Sequence, residues 1–216
     1  MLSKLALVIF SGLLLVSPIE VTFAASEIKE GEQYITLKAP VMNAPSVVEF
    51  FSFYCPPCGA FAERYKVSDA INKRLPSGQH VDKIHVTMLG PLGYELTRAW
   101  AVAKVLGVEE KLERPLFVAV QVKRCINTPE DIRQVFIEAG VPAMVFDSTL
   151  ISPEVMRVTE QQIQLAKEFS VTRTPSFYVA GRYLILNNGV ESRTVDGVGE
   201  GFSLIASELL KLSNDA

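Results

Sequence analysis

Two cysteines separated by two prolines, Cys55-Pro56-Pro57-Cys58, are the residues of this chain whose types and spacing most directly imply chemistry. A cysteine reacts or binds metal as its thiolate, and a close pair has two main uses: half of a zinc site, or a disulfide that opens and closes. Zinc needs two further ligands. Only Cys125, His80 and His85 remain to supply them, and none forms a second close pair. Redox chemistry, with no metal and no cofactor, is the expected use.

The elements that must position this pair are legible on both sides of it. Val47 to Tyr54 is a β-branched and aromatic run of buried-strand character. Pro56 and Pro57 cannot serve a strand ladder but suit the first turn of a helix. Gly59 to Leu75, with Phe61, Tyr65, Ala70 and Ile71 among charges, predicts one amphipathic helix ended by Pro76-Ser77-Gly78. Lys83 to Met88 predicts a second strand, parallel to the first across that crossover. Cys55 then stands ahead of a helix N-terminus, whose partial positive charge and free N–H groups favour a thiolate. Cys58 falls in the first turn, within reach of Cys55 for a disulfide.

The rest of the chain fits one α/β domain. Its 216 residues are 49% hydrophobic and 21% charged with a net charge of −3, an ordinary globular balance with no basic excess for nucleic acid or an anionic membrane. Lys4, the apolar run Leu5 to Val16 and the small residues around Ala24 predict a signal peptide over residues 1–24, leaving an exported domain over 25–216. Export to an oxidising compartment makes each of the three cysteines consequential. After Met88 the pattern turns helical: Leu96 to Leu106, Leu112 to Val122, Asp131 to Ala139, Val141 to Leu150 and Pro153 to Glu168. Thr128-Pro129-Glu130-Asp131 reads as a capped helix start. Strands return at Ser176 to Val179 and Tyr183 to Leu186, around Gly181, before a last helix from Gly201 to Leu212. An all-helical insertion over approximately residues 91–168 is the organisation this order implies.

The stretch from Glu49 to Cys58, Ala99-Trp100-Ala101-Val102-Ala103 with Leu106-Gly107-Val108, and Thr174-Pro175 before the late hairpin resemble the DsbA family of periplasmic thiol:disulfide oxidoreductases. The likeness runs from about Gly31 to Leu212 and includes the insertion. The Pro56-Pro57 dipeptide resembles the SrgA-type members rather than the Cys-Pro-His-Cys namesake. The resemblance implies a thioredoxin fold with an inserted all-helical subdomain. It also implies a periplasmic, monomeric protein that donates a Cys55–Cys58 disulfide to unfolded exported proteins with free cysteines. Re-oxidation by a quinone-linked membrane oxidase of the DsbB type would follow. By the same resemblance Cys55 is the exposed attacking thiol and Cys58 the buried resolving one. Pro175 is a cis-proline facing the disulfide, preceded by Thr174, and Glu49 and Lys83 form a buried pair that helps move the proton of Cys58. Apolar neighbours at Val48, Phe50 and Phe51 also argue against a solvent-facing Glu49.

Other features are read as packing. Met88, Trp100, Phe50, Phe51 and Phe53 are expected in the core, and His80 and His85 as structural or surface residues. Cys125 is expected to be a small buried hydrophobe rather than a third redox thiol. The competing readings are a reductase or isomerase of the same fold, which keeps the pair reduced, and a non-catalytic chaperone, which has no need of it.

Overall fold

The computed structural model describes residues 28–214 apart from Glu191 and Arg193, so the leader expected over 1–24 lies outside the described residues. Five strands form one sheet in the order β1-β5-β4-β2-β3. They are β1 (Tyr34–Thr36), β2 (Val47–Phe51), β3 (Asp82–His85), β4 (Ser176–Val179) and β5 (Tyr183–Ile185). β2 runs parallel to β3 and antiparallel to β4, and β4 and β1 both pair antiparallel with β5. Arg182 N–H bonds the Val179 carbonyl at 3.0 Å around Ala180 and Gly181, both at positive φ, the tight turn that hairpin twist favours. The three-residue β1 is too short to leave a period in the sequence and was not expected.

Every side chain of β2 is buried, as in a central strand covered on both faces. Val48 and Phe50 pack with Ile84, Val86, Phe169 and Tyr178 on one face. On the other, Val47 joins the cluster made with α2 (Val67–Asn72) and α8 (Val195–Asn214), through Val67, Ile71, Phe202 and Leu209. Phe51, four residues along the same face, belongs instead to the large cluster built with the helical insertion around Phe53, Trp100 and Leu116. Glu49 lies between them, at the seam of two hydrophobic cores.

The insertion consists of α3 (Gly93–Leu106), α4 (Glu109–Phe117), a π-helical turn over Val118–Lys123, α5 (Pro129–Glu138), α6 (Ala143–Leu150) and α7 (Pro153–Glu168). Thr128 caps α5 with a capping box closed by Asp131, as its sequence predicts. Among the described residues no helix is long and apolar enough to cross a membrane.

Four expectations are corrected. The strand expected over Val47–Tyr54 stops at Phe51, because Phe53 N–H turns to His85 Nε2 at 3.1 Å and Cys55 N–H closes a turn on the Ser52 carbonyl. The single helix expected over Gly59–Leu75 is α1 (Pro56–Gly59), a π-helical turn over Ala60–Arg64, and α2 after a break at Lys66 in the left-handed conformation. No glycine marks that break, so the sequence concealed it. β3 ends at His85, and Met88 beyond it is 48% exposed rather than in the core. α8 starts at Val195 rather than Gly201, since tertiary packing overrides the low helix propensity of its glycines. One of them, Gly199, is needed for close approach: a Cβ there would stand 2.6 Å from the Tyr65 carbonyl oxygen.

Candidate active site

Cys55 and Cys58 are joined as a disulfide with Cα atoms 5.2 Å apart, at the junction of β2 and α1. Cys55 is the N-cap residue in extended conformation, and its Sγ accepts the Cys58 N–H at 3.2 Å. Because neither Pro56 nor Pro57 has an N–H, that amide is the first one the helix start can offer to the sulfur. Cys55 retains 5% of its surface and Cys58 none, while both prolines are exposed. Both cysteines are thus buried, correcting the exposed placement expected of Cys55, which packs in the core cluster with Phe53; of the two only Cys55 keeps any surface.

The junction is clamped from two sides by neutral groups. His85, at the end of β3, accepts the Phe53 N–H and stacks on the Phe53 ring at 5.2 Å between centroids. Its Nδ1 lies 2.8 Å from the Thr97 hydroxyl, and its backbone N–H is held by Gln162. Burial without a carboxylate pushes the imidazole down to about 3, so it is neutral and serves as an acceptor. From the insertion, the Gln121 amide donates to the Phe53 carbonyl at 2.8 Å and to the Cys55 carbonyl at 3.0 Å. Gly59 leaves room for it: a Cβ there would lie 2.8 Å from Gln121 Oε1.

Further back along β2, Glu49 is 1% exposed, and Lys83 is its register partner on β3. Lys83 Nζ lies 3.1 Å from Glu49 Oε2, which also accepts the Ser68 hydroxyl of α2 at 2.7 Å. The same ammonium is bonded by Glu113 of α4 and sits 5.3 Å from the Phe51 ring centroid. Burial works against the Lys83 charge, but Glu49 and Glu113 outweigh it and raise its pKa. Burial raises Glu113 despite the opposing pull of Lys83.

Thr174-Pro175 is a cis peptide bond immediately before β4. Ser176, the first residue of β4, pairs antiparallel with Phe50, so the cis bond leads into the neighbour of β2 at the end of that strand from which the chain runs on to Cys55. The Asn187 amide holds the Pro175 carbonyl at 2.9 Å.

The structure thus joins Cys55 to Cys58 and pairs Glu49 with Lys83, while Cys125 stands apart from both. That thiol is exposed, correcting the buried placement expected of it: the π-helical turn ends at Arg124 in the left-handed conformation, and it is the residue after Cys125, Ile126, that turns into the core. Trp100 is buried as expected, and its indole N–H donates to the Lys83 carbonyl at 2.9 Å. His80 is exposed, and His85 is a buried structural acceptor. Sequence reasoning missed the parts played by Gln121, Ser68 and Glu113. Gln121 left one signal, a single uncharged polar residue inside the apolar run Leu116 to Val122. Glu113 left none, standing among charges in Glu109-Glu110-Lys111-Leu112-Glu113-Arg114.

A thioredoxin-type sheet with a disulfide at a strand-to-helix junction and a cis-proline loop beside it defines a thiol:disulfide oxidoreductase. Within that class, residues 46–195 match the DSBA-like thioredoxin domain, and the chain belongs to the DsbA family. It is 42% identical over 187 residues to the thiol:disulfide interchange protein DsbA of Pectobacterium carotovorum subsp. carotovorum, covering 87% of this chain and 90% of that one. The crystal structure of DsbA from Proteus mirabilis superposes with a TM-score of 0.83 at 40% identity, over 86% of this chain and 98% of the other. That of SrgA from Salmonella enterica serovar Typhimurium gives 0.79 at 41% identity, over 82% and 99%.

Proposed function

We propose that this oxidoreductase acts as an oxidant, donating the Cys55–Cys58 disulfide to exported proteins as they fold in the periplasm. The observation that carries this reading is the asymmetry of the pair: Cys55 keeps 5% of its surface and its sulfur accepts a helix-start amide, while Cys58 is fully buried. A substrate thiolate attacks Cys55 Sγ, the S–S bond breaks, and Cys58 leaves with the electron pair and takes a proton. A second substrate thiolate then attacks the substrate sulfur of the mixed disulfide, forming the product disulfide and releasing Cys55 as a thiolate. Two electrons pass from substrate to protein. Stabilising the released Cys55 thiolate favours the reduced protein and makes the disulfide oxidising.

The remaining residues have supporting roles in this reading. Pro56 and Pro57 fix the helix start, and Thr174, ahead of β4, offers backbone to an extended substrate segment in the manner of strand addition. Pro175, whose carbonyl Asn187 holds, fixes that loop, and the Glu49–Lys83 pair serves the proton of Cys58. An apolar groove of about 320 Å³ opens beside the same loop, between Val86 and Met88 on one side and Ile163, Ala166 and Val171 on the other. It suits the apolar segments of unfolded chains and of a membrane oxidase that re-oxidises the pair. The leader over residues 1–24 and the insertion near 91–168 complete the proposed organisation.

Thiol alkylation of periplasmic extracts tests the direction of transfer. An oxidant is recovered with Cys55 and Cys58 largely disulfide-bonded. A reductase or isomerase would be recovered reduced, and a chaperone would work equally well with both cysteines replaced.

A further inference from the structure

Two carboxylates and one ammonium meet where β2, β3 and α4 come together, on the strand that leads to Cys55, and the three differ in their access to water. Glu49 is 2% exposed at its side chain, Lys83 13% and Glu113 20%. A solvent pocket of about 740 Å³ and a second of about 340 Å³ both reach Lys83 and Glu113, while Glu49 lines neither. The cluster is thus ordered from water inward as Glu113, Lys83, Glu49, with Glu113 contributed by the insertion and the other two by the sheet. If all three are ionised the site holds one unbalanced negative charge in poorly solvated surroundings, which favours one bound proton.

We propose that Glu113 is the proton-entry residue of this site, taking a proton from water and passing it along the Lys83–Glu49 pair toward Cys58 when the disulfide is reduced. The inference rests on Cys58 being the leaving sulfur. Cys58 departs as a thiolate with the electron pair of the broken S–S bond, one proton moves inward to it, and water restores the proton to Glu113. Glu113 meets no reacting sulfur and is a positioning residue. The groups that face it are Lys83 from β3, Glu49 from β2 and Glu63 from the π-helical turn, itself 3.3 Å from Arg114. Ser68 and Asp69 of α2, Lys66 at the break, and Glu110 and Arg114 of its own helix line the pocket beside it. The raised pKa of Glu113 has burial as its main cause and agrees with a carboxyl protonated more readily than a surface one.

The test is the rate at which dithiothreitol reduces the Cys55–Cys58 disulfide between pH 5 and 9, normalised to the thiolate present. In the native protein the normalised rate should fall as pH rises through the Glu113 titration. Glu113→Gln should be about tenfold slower at the low-pH end, less than the roughly 100-fold of a group meeting the reacting atom, and flat across the range. An unchanged rate, or uniform slowing with the native pH dependence intact, overturns the proposal. Should Glu113→Gln fail to fold, carboxyl-carbon NMR of the native protein decides. Glu113 must titrate above the ordinary value of about 4.3 and shift when the disulfide is reduced, whereas an ordinary titration identical in both forms overturns it. Trapping of substrate on Cys58 instead of Cys55 would sink the parent reading; an unaltered pH profile with Cys55 as the trapped sulfur sinks this inference alone.

Discussion

Around Cys55 and Cys58 the hydrogen-bonding partners are neutral: a backbone amide, the Gln121 carboxamide and the uncharged His85 ring. Around Glu49, on the same strand, they are Lys83, with Glu113 beyond it, and a single hydroxyl from Ser68. The difference separates two tasks. The sulfur end can hold a thiolate without moving any countercharge, so groups there set how oxidising the pair is. The charged end sets two carboxylates against one ammonium in a poorly solvated seam, so breaking it carries a folding penalty that depends on pH.

The comparison breaks most strongly at acid pH, through His85. Its pKa in the folded protein is about 3 against an unfolded value of about 6.5. Below pH 6.5 protons bind the unfolded chain preferentially, so stability is lost as pH falls from about 6.5 toward 3, by up to roughly 4–5 kcal/mol. His85→Gln keeps a side-chain acceptor for Phe53 N–H and removes the titration. Urea unfolding at pH 7, 5.5 and 4 should show a steeper loss in the native protein than in the variant; parallel curves would deny that the ring is buried neutral.

At the charged seam, Lys83→Met leaves Glu49 and Glu113 without their common partner. A loss of about 3–5 kcal/mol at pH 7 is expected by chemical denaturation, as for other broken buried pairs, shrinking at acid pH as Glu113, whose pKa burial raises, takes up a proton. A loss below 1 kcal/mol would place the cluster effectively in water. Gln121→Ala should cost less, about 1–3 kcal/mol, by stranding the Phe53 and Cys55 carbonyls. Amide exchange at Cys58 and Gly59 should quicken with it, and unchanged exchange would mean the insertion does not clamp the junction.

The smallest effect sharpens the account of the sulfur end. Pro57 offers Cys55 neither a positive side chain nor an N–H, whereas a histidine there adds a donor worth roughly 1 kcal/mol to the thiolate. Stabilising the thiolate favours the reduced form, so Pro57→His should raise the reduction potential by about 20 mV. A glutathione titration of both proteins reads this directly, and a potential equal to or below that of the native chain would contradict it.

How far these regions could be read in advance follows from what left a local trace. The β2 run, the two prolines and Cys55-Cys58 fall within a dozen residues, so their geometry was legible in order. The burial of Glu49 was legible too, because its strand neighbours are apolar on both sides. Gln121 and Glu113 reach the site from another helix, across more than fifty residues of chain, and no periodicity reports such a crossing. The helix break at Lys66 and the exposure of Cys125 depend on left-handed residues that are not glycine, Lys66 itself and Arg124, where composition predicts nothing. Met88 looked like core because it continued an apolar run, but the ladder had already ended at His85.

The central claim is that Cys55 is the sulfur that substrates meet and Cys58 the one that leaves. Cys58→Ser removes the internal thiol that would re-form the Cys55–Cys58 disulfide and expel a bound substrate. Incubated with a reduced, unfolded protein carrying a single cysteine, which cannot resolve the adduct either, the variant oxidised at Cys55 by glutathione should accumulate a mixed disulfide that mass mapping places on Cys55. Adducts on Cys125, or a reverse pattern in which Cys55→Ser traps substrate on Cys58 and Cys58→Ser traps none, would contradict the account.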